Sequence, residues 1–402
     1  METEITQSMK LQTKAVHAGD RRKPSPATPS TTPIYTASSF FYDDVETLDR
    51  VFSDEEQGYC YSRYDNPTNS ALEELLAALE SGAGALATSS GMSAIHVALL
   101  SALTDRRRSI VASSALYGAT IRLLMNILEP SGVDVRWVDI TNRAEVENAV
   151  REANPGCILT ETISNPLLRV APIDELAGLA RQAGAALVVD NTFATPLMCR
   201  PLELGAHLSV HSVTKYLAGH GDVLGGAIIC DASHLSTLRT LAKTSGPNLG
   251  PFESYLTMRG IKTFPLRMER QCANAAHIAS WLASHPKVSA VYFPGAPNHP
   301  DSATTARLFP SGLFGAMVSF DLKDGDRNEV FRFINALKLI VRATSLGDVH
   351  TMVLYPAMSS HRDISPAQRR RLGIGDNLVR LSIGIEDHED VIADLDEALS
   401  AI

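Results

Sequence analysis

A chain of 402 residues, 45% apolar and 20% charged, can bury large cores in roughly two to three domains without disulfide or metal staples. Its net charge of −9 supplies no basic footprint, which argues against nucleic acid and anionic membranes as partners. The five cysteines are odd in number and form no C-x-x-C pair, which fits a reduced, cytoplasmic setting where they serve mostly as small core hydrophobes.

The first residues, METEITQSMKLQTK, hold no apolar signal-peptide core, and no apolar run reaches membrane-spanning length. Residues 20–40 are rich in Pro, Ser and Thr and read as an extended arm. Such an arm lies on another surface, for instance a neighbouring subunit, or is disordered. From Asn69 onward helical and strand patterns alternate. Helices are expected over 70–79, 93–103, 121–128, 144–153 and 173–182. Strands are expected over 83–88, 109–112, 133–138, 157–160 and 185–190, with brief ones at 208–211 and 224–229. This alternation predicts an α/β fold whose mostly parallel sheet is covered on both faces. After about residue 256 the texture changes. One long helical segment (256–285) leads into short strands (VSAVYF, AMVSFDL), a helix (NEVFRFINAL), a strand (LVRLSIGI) and a final helix, which together read as a smaller α+β domain. Gly82, Gly84 and Ala87 match G-x-G-x-x-A, but they follow a helix and lead into a strand. A dinucleotide fingerprint needs the reverse order.

Five features could carry chemistry, each with an ordinary structural alternative. Asp190 ends the apolar strand AALVVD, where ligands of open α/β sheets bind. A carboxylate there needs a cation or strong donor, or else simply caps the next turn. Lys215, in HSVTKYLAGHGD, lies between a strand and a Gly-rich turn. Ser212 and Thr214 beside it offer hydroxyls to a phosphate. Partial burial would lower its pKa, whereas a lone lysine at a strand end is usually solvated. Ser90, Gly91 and Met92 open a helix whose free N–H groups suit a phosphate, though Ser and Gly are also common caps. Tyr117 could stack on a flat ring or fill a core position. Arg380, among apolar strand residues, could clamp a carboxylate or face solvent. Together they supply what pyridoxal 5′-phosphate (PLP) requires: a Schiff-base lysine, an acid for the ring nitrogen, a phosphate cradle, a stacking aromatic and a carboxylate clamp.

At SVTKYLAGHGD the sequence resembles the cysteine/methionine-metabolism family of PLP-dependent enzymes. That family includes cystathionine γ-synthase, cystathionine and methionine γ-lyases, and O-acylhomoserine sulfhydrylases. The likeness runs from T-x-x-V-H-A-G (13–19) and PIYTASSF (33–40) through YSRYDNPT (61–68), SSGMSA, LYGAT, ETISNPL (161–167) and VVDNTFATP to SLGD (345–348) and RLSIGIED. It implies an aspartate-aminotransferase-like (fold type I) large domain and a smaller C-terminal domain, with an arm over 1–60, a PLP-binding part over 61–256 and a C-terminal part over 257–402. It further implies a homotetramer built from dimers. By the same resemblance Lys215 forms the Schiff base and moves protons, Asp190 pairs with the pyridinium nitrogen, and Tyr117 stacks on the ring and acts as an acid. Ser90, Gly91, Met92, Ser212 and Thr214 would hold the phosphate, with Tyr61 and Arg63 reaching that of a neighbouring subunit. Asn165, Ser345 and Arg380 would hold the substrate α-carboxylate and orient Lys215. No metal is implied.

Two positions depart from the subgroups. Members that process cystathionine commonly carry Glu where this chain has His350, and methionine γ-lyases commonly carry Cys where it has Ala119. His350 is therefore expected to help select the substrate. The resemblance implies γ-elimination on a sulfur amino acid such as methionine, cystathionine or homocysteine, giving 2-oxobutanoate, ammonia and a thiol. The alternatives are γ-replacement and, from another class, a non-catalytic PLP-binding protein.

Overall fold

Short apolar runs become strands here, and the amphipathic runs between them become helices that cover both faces of a sheet. The computed structural model describes residues 28–103, 107–309, 312–359, 362 and 365–402. Part of the expected arm, residues 1–27, lies outside them. Residues 28–33 carry neither helix nor strand, and Ile34–Ile402 forms one body.

The larger sheet contains β1 (Gly84–Thr88), β2 (Ser109–Ser113), β3 (Asp134–Val138), β4 (Cys157–Glu161), β5 (Ala186–Asp190), β6 (Leu208–His211) and β7 (Gly226–Cys230). Their order is β1-β7-β6-β5-β4-β2-β3. Only β7 runs against its neighbours. Successive side chains point to opposite faces of a strand, and two cores result. Ile110, Leu159, Val188 and Ile228 pack with Ile95 and Leu99 of the helix Gly91–Ala102. Val111, Ile158, Val189 and Ile229 pack with Leu72 and Leu76 of the helix Pro67–Glu80 and Leu176 of the helix Ile173–Ala183. With both faces covered, each strand reads as an unbroken apolar run. Leu72 is fully buried, so Leu72→Ala would cost about 2–5 kcal/mol. The helices start and stop on local signals. Asn66 accepts the Thr68 N–H ahead of Pro67, and Gly184 ends Ile173–Ala183 in the left-handed conformation that glycine adopts without a steric penalty.

A second sheet has β8 (Val288–Tyr292), β9 (Met317–Leu322), β10 (Val341–Arg342), β11 (Met352–Leu354) and β12 (Leu378–Ser382) in the order β10-β11-β12-β9-β8. Phe320 and Leu381 pack with Ile278, Phe333 and Leu395 from three helices to form its core.

Two expected helices differ. The segment 256–285 is two helices, Pro251–Ile261 and Phe264–Ser284, so residue 256 falls inside the first. Pro265 has no N–H to offer Ile261, and a continuous helix cannot pass it. Beside the break, the carbonyl of Gly260 accepts from the Thr263 N–H at 3.2 Å and from Arg267 Nη2 at 2.9 Å. The helix expected at 121–128 begins at Gly118 and widens into a π-helical turn over Leu124–Leu128. The helix Ala232–Ser245, capped by Asp231, and the short strands β10 and β11 are further elements, beyond those expected from the sequence.

Candidate active site

The parallel strands β2, β4, β5 and β6 end on one edge of the sheet, where open α/β folds bind ligands. The site residues follow from that edge. Tyr117 comes after β2, Asn165 after β4, Asp190 ends β5, and Ser212, Thr214 and Lys215 follow β6. The helix Gly91–Ala102 opens at the same edge, with Ser90 as its cap accepting the Ser93 N–H at 3.1 Å. These groups meet in a cavity of about 440 Å3, which Arg380 enters from the smaller sheet. That volume falls within the roughly 300–1,000 Å3 common for small-molecule sites.

Lys215 Nζ donates to Ser345 Oγ at 3.0 Å. Burial, reinforced by the Arg380 charge, pulls the Lys215 ammonium down to about 8, so a useful fraction is neutral near physiological pH. Arg380 is buried in β12, and its Nη1 donates to Asn165 Oδ1 at 2.8 Å. Its Nε has no hydrogen-bond partner among the described residues. A buried cation with an unmet donor is prepared for an anion. Burial lowers its pKa to about 10, so it stays charged.

Asp190 Oδ1 accepts the Thr192 N–H at 2.9 Å. Burial pushes this carboxyl up, and the bonds from Thr192 oppose that push. A cation placed against it would restore the charged form. Close packing shapes the end of the cavity formed by Gly91, Ser212 and Gly226. A Cβ on Gly91 would stand 2.8 Å from Ser212 Cβ, and one on Gly226 would stand 2.2 Å from the Ser90 carbonyl oxygen. Thr214 Oγ1 accepts the Gly225 N–H at 2.9 Å, and Thr192 Oγ1 accepts the Ser212 N–H at 2.9 Å. A lysine of lowered pKa, a carboxyl short of a cation and helix N–H groups among hydroxyls fit PLP. When bound, its amine-reactive carbonyl, ring nitrogen and phosphate would meet Lys215, Asp190 and the Gly91–Ser212 region respectively. Among the described residues no group of three or more His, Cys, Asp or Glu is set to hold a metal ion.

The chain belongs to the Cys/Met metabolism PLP-dependent enzyme family.

The model of that family matches residues 12–400. The chain is 42% identical to the L-methionine gamma-lyase of Fusobacterium nucleatum subsp. polymorphum, over 99% of this chain and 100% of that one. It is 41% identical to the cystathionine gamma-lyase of Bacillus subtilis (strain 168), over 98% and 100%. It also superposes, with a TM-score of 0.85 and 38% identity over 92% of each chain, on cystathionine gamma synthase from Xanthomonas oryzae pv. oryzae in complex with aminoacrylate and cysteine. The protein is thus a PLP-dependent enzyme of fold type I, as the sequence motifs implied.

Four expected site residues lie outside the cavity lining, and of these, among the described residues, Ser345 alone bonds a lining residue, Lys215. Tyr61 is half exposed, and Arg63 lies over the rings of Tyr61 and Tyr64 while bonding the Lys243 carbonyl. His350 is largely exposed, with its Nδ1 3.1 Å from Asp348 Oδ1. The Val349 N–H bonds the Gly219 carbonyl, and this pins the turn with the His350 ring outside. Conversely, Glu161, Thr192 and Arg122 line the cavity without having been singled out from the sequence. Glu161 and Thr192 could have been, since Glu161 ends its strand as Asp190 does and Thr192 begins the turn that follows.

Proposed function

We propose that this enzyme carries out γ-elimination on a sulfur-containing amino acid such as methionine, cystathionine or homocysteine, releasing 2-oxobutanoate, ammonia and a thiol. The observation that carries this reading is Lys215 hydrogen-bonded to Ser345 beside the buried Arg380, in one cavity with Tyr117 and Asp190. Bound PLP supplies an electron sink for charge that develops at Cα. Asp190 holds a proton on the ring nitrogen by its negative charge. Arg380, steadied by Asn165, takes the α-carboxylate and presents the Cα proton to Lys215. Lys215, eased toward its neutral form by burial, would accept that proton, hand it on to the bound cofactor and, neutral again, take one from Cβ. Tyr117 donates a proton to the departing sulfur as general acid. Tyr117 lines the cavity and is partly exposed, which suits a group that meets a departing substituent.

γ-Replacement is the second reading, supported by the likeness to cystathionine gamma synthase. The two share every step up to the arrival of water or a thiol. We also propose a cytoplasmic homotetramer in which Tyr61 and Arg63 serve a neighbouring subunit's phosphate. Free, buried Cys157, Cys199, Cys230 and Cys272 support the compartment. Exposed Phe41, Phe52 and Tyr61 in one segment support the assembly. No helix among the described residues is long and apolar enough to cross a membrane.

The test is incubation of PLP-loaded protein with methionine, cystathionine, homocysteine, or O-acylhomoserine plus cysteine. 2-Oxobutanoate, free thiol and new thioether are assayed. Elimination predicts 2-oxobutanoate with equal thiol from at least one thioether or thiol substrate. Thioether formed without 2-oxobutanoate would transfer the assignment to γ-replacement. Lys215→Ala is expected to abolish both products.

A further inference from the structure

Glu161 is a buried carboxyl that the mechanism above does not use. It ends β4 as the direct register partner of Asp190 in β5, so the two side chains share a face of the sheet. Its Oε1 accepts the backbone N–H of Tyr117 at 2.5 Å, and the backbone N–H of Asn165 faces the same carboxyl and favours its charge. Tyr117 caps the helix Gly118–Leu123 and contributes no side-chain cap bond. Asn165 in turn holds Arg380. One carboxyl therefore ties the loop bearing the ring-stacking tyrosine to the turn bearing the carboxylate clamp.

We propose that Glu161 is a positioning residue of this site, which sets the Tyr117 ring and the Asn165–Arg380 pair relative to each other by accepting the Tyr117 N–H and facing the Asn165 N–H. This rests on the assignment of the cavity as the PLP site. The role needs an acceptor at the right reach and does not need a negative charge. Burial and the neighbouring Asp190 both push the Glu161 carboxyl well above the ordinary range, so a neutral acceptor serves. The same economy leaves Asp190 as the ionised member of the pair, because two adjacent buried carboxyls disfavour double ionisation.

Reach and charge separate cleanly in two substitutions. Glu161→Gln keeps the acceptor oxygen at the same reach and discards the charge. Glu161→Asp keeps an ionisable acid but withdraws it by one methylene, roughly 1.5 Å along the chain direction. Both are prepared as PLP-loaded full-length enzyme. Visible circular dichroism of the bound cofactor, the PLP dissociation constant, kcat and KM are then measured. Glu161→Gln is expected to stay within threefold of wild type in every readout. Glu161→Asp is expected to lose half or more of the visible dichroism and tenfold or more in kcat, with a raised KM. Glu161→Met, of similar volume and without an acceptor, should match Glu161→Asp and gives an independent reading where Asp compromises folding. A Gln variant as impaired as the Asp variant, or an Asp variant equal to wild type, overturns the proposal. Wild-type protein that develops no visible PLP band overturns the cofactor-site assignment itself, which separates the two failures.

Discussion

Arg380→Lys keeps a cation in the centre of β12 and removes the planar fork. Arg380 uses Nη1 on Asn165 and leaves Nε without a partner, so its remaining N–H groups are what an α-carboxylate would meet. A lysine ammonium in the same place can serve Asn165 or the carboxylate well, but cannot offer two parallel bonds to the latter. Losing one hydrogen bond to a charged group costs about 1.5–3 kcal/mol. At about 1.4 kcal/mol per decade, that is about 10- to 100-fold in carboxylate binding. The cation is retained and burial is the first cause of the lowered Lys215 pKa, so the lysine chemistry should change little. KM for the amino acid that wild type turns over should therefore rise about 10- to 100-fold, while kcat falls by much less. The decarboxylated amine of the same substrate provides the control, since it has no carboxylate to lose. Its inhibition constant should agree between wild type and variant within threefold. A KM within twofold of wild type would refute the clamp, as would equal loss of affinity for amino acid and amine.

Three other outcomes follow from the geometry. The Lys215 pKa is lowered to about 8, so the neutral, PLP-reactive amine grows as pH rises through that value and is lost below it. The rate at which PLP-free protein takes up PLP, followed by absorbance, should rise with a midpoint near pH 8; a midpoint above 10 would contradict the burial argument. Gly91→Ala places a Cβ 2.8 Å from Ser212 Cβ and 3.1 Å from Ser212 Cα. The phosphate cradle must spread, and PLP affinity measured by equilibrium titration should weaken by about tenfold, one lost hydrogen bond's worth. His350→Glu changes an exposed side chain outside the cavity. The ranking of substrates by kcat/KM should stay within threefold, and a reordered ranking would return His350 to the selecting role that its sequence position suggested.

Much of this enzyme could be read along the chain. Unbroken apolar runs such as AALVVD and GCILT become the buried strands β5 and β4, because a sheet covered on both faces accepts apolar side chains at every position. Asp190 and Lys215 stood out for the same reason. A charged residue that ends or follows such a run lies at the sheet edge where a ligand must compensate it. Pro265 was equally visible, yet the run around it carried a continuous helical pattern, and only the structure shows the two helices parting at Lys262 and Thr263. Side-chain direction was not legible. The motif suggested a selecting role for His350, but the structure turns its ring outward, held by Asp348 and by the Val349 N–H on Gly219. Nor was partnership across distance. Asn165, in the turn after β4, and Arg380, in β12 of the smaller sheet, are 215 residues apart, yet they bond at 2.8 Å. Local sequence therefore determined the strands, the motifs and the kinds of chemistry available, because these depend on side-chain polarity and backbone period. Which charges meet, which carboxyl keeps its proton and which side chains reach the cavity were decided only by the pairing of β4 with β5 and by the bond that joins Arg380 of β12 to Asn165, since burial and distance set those energies.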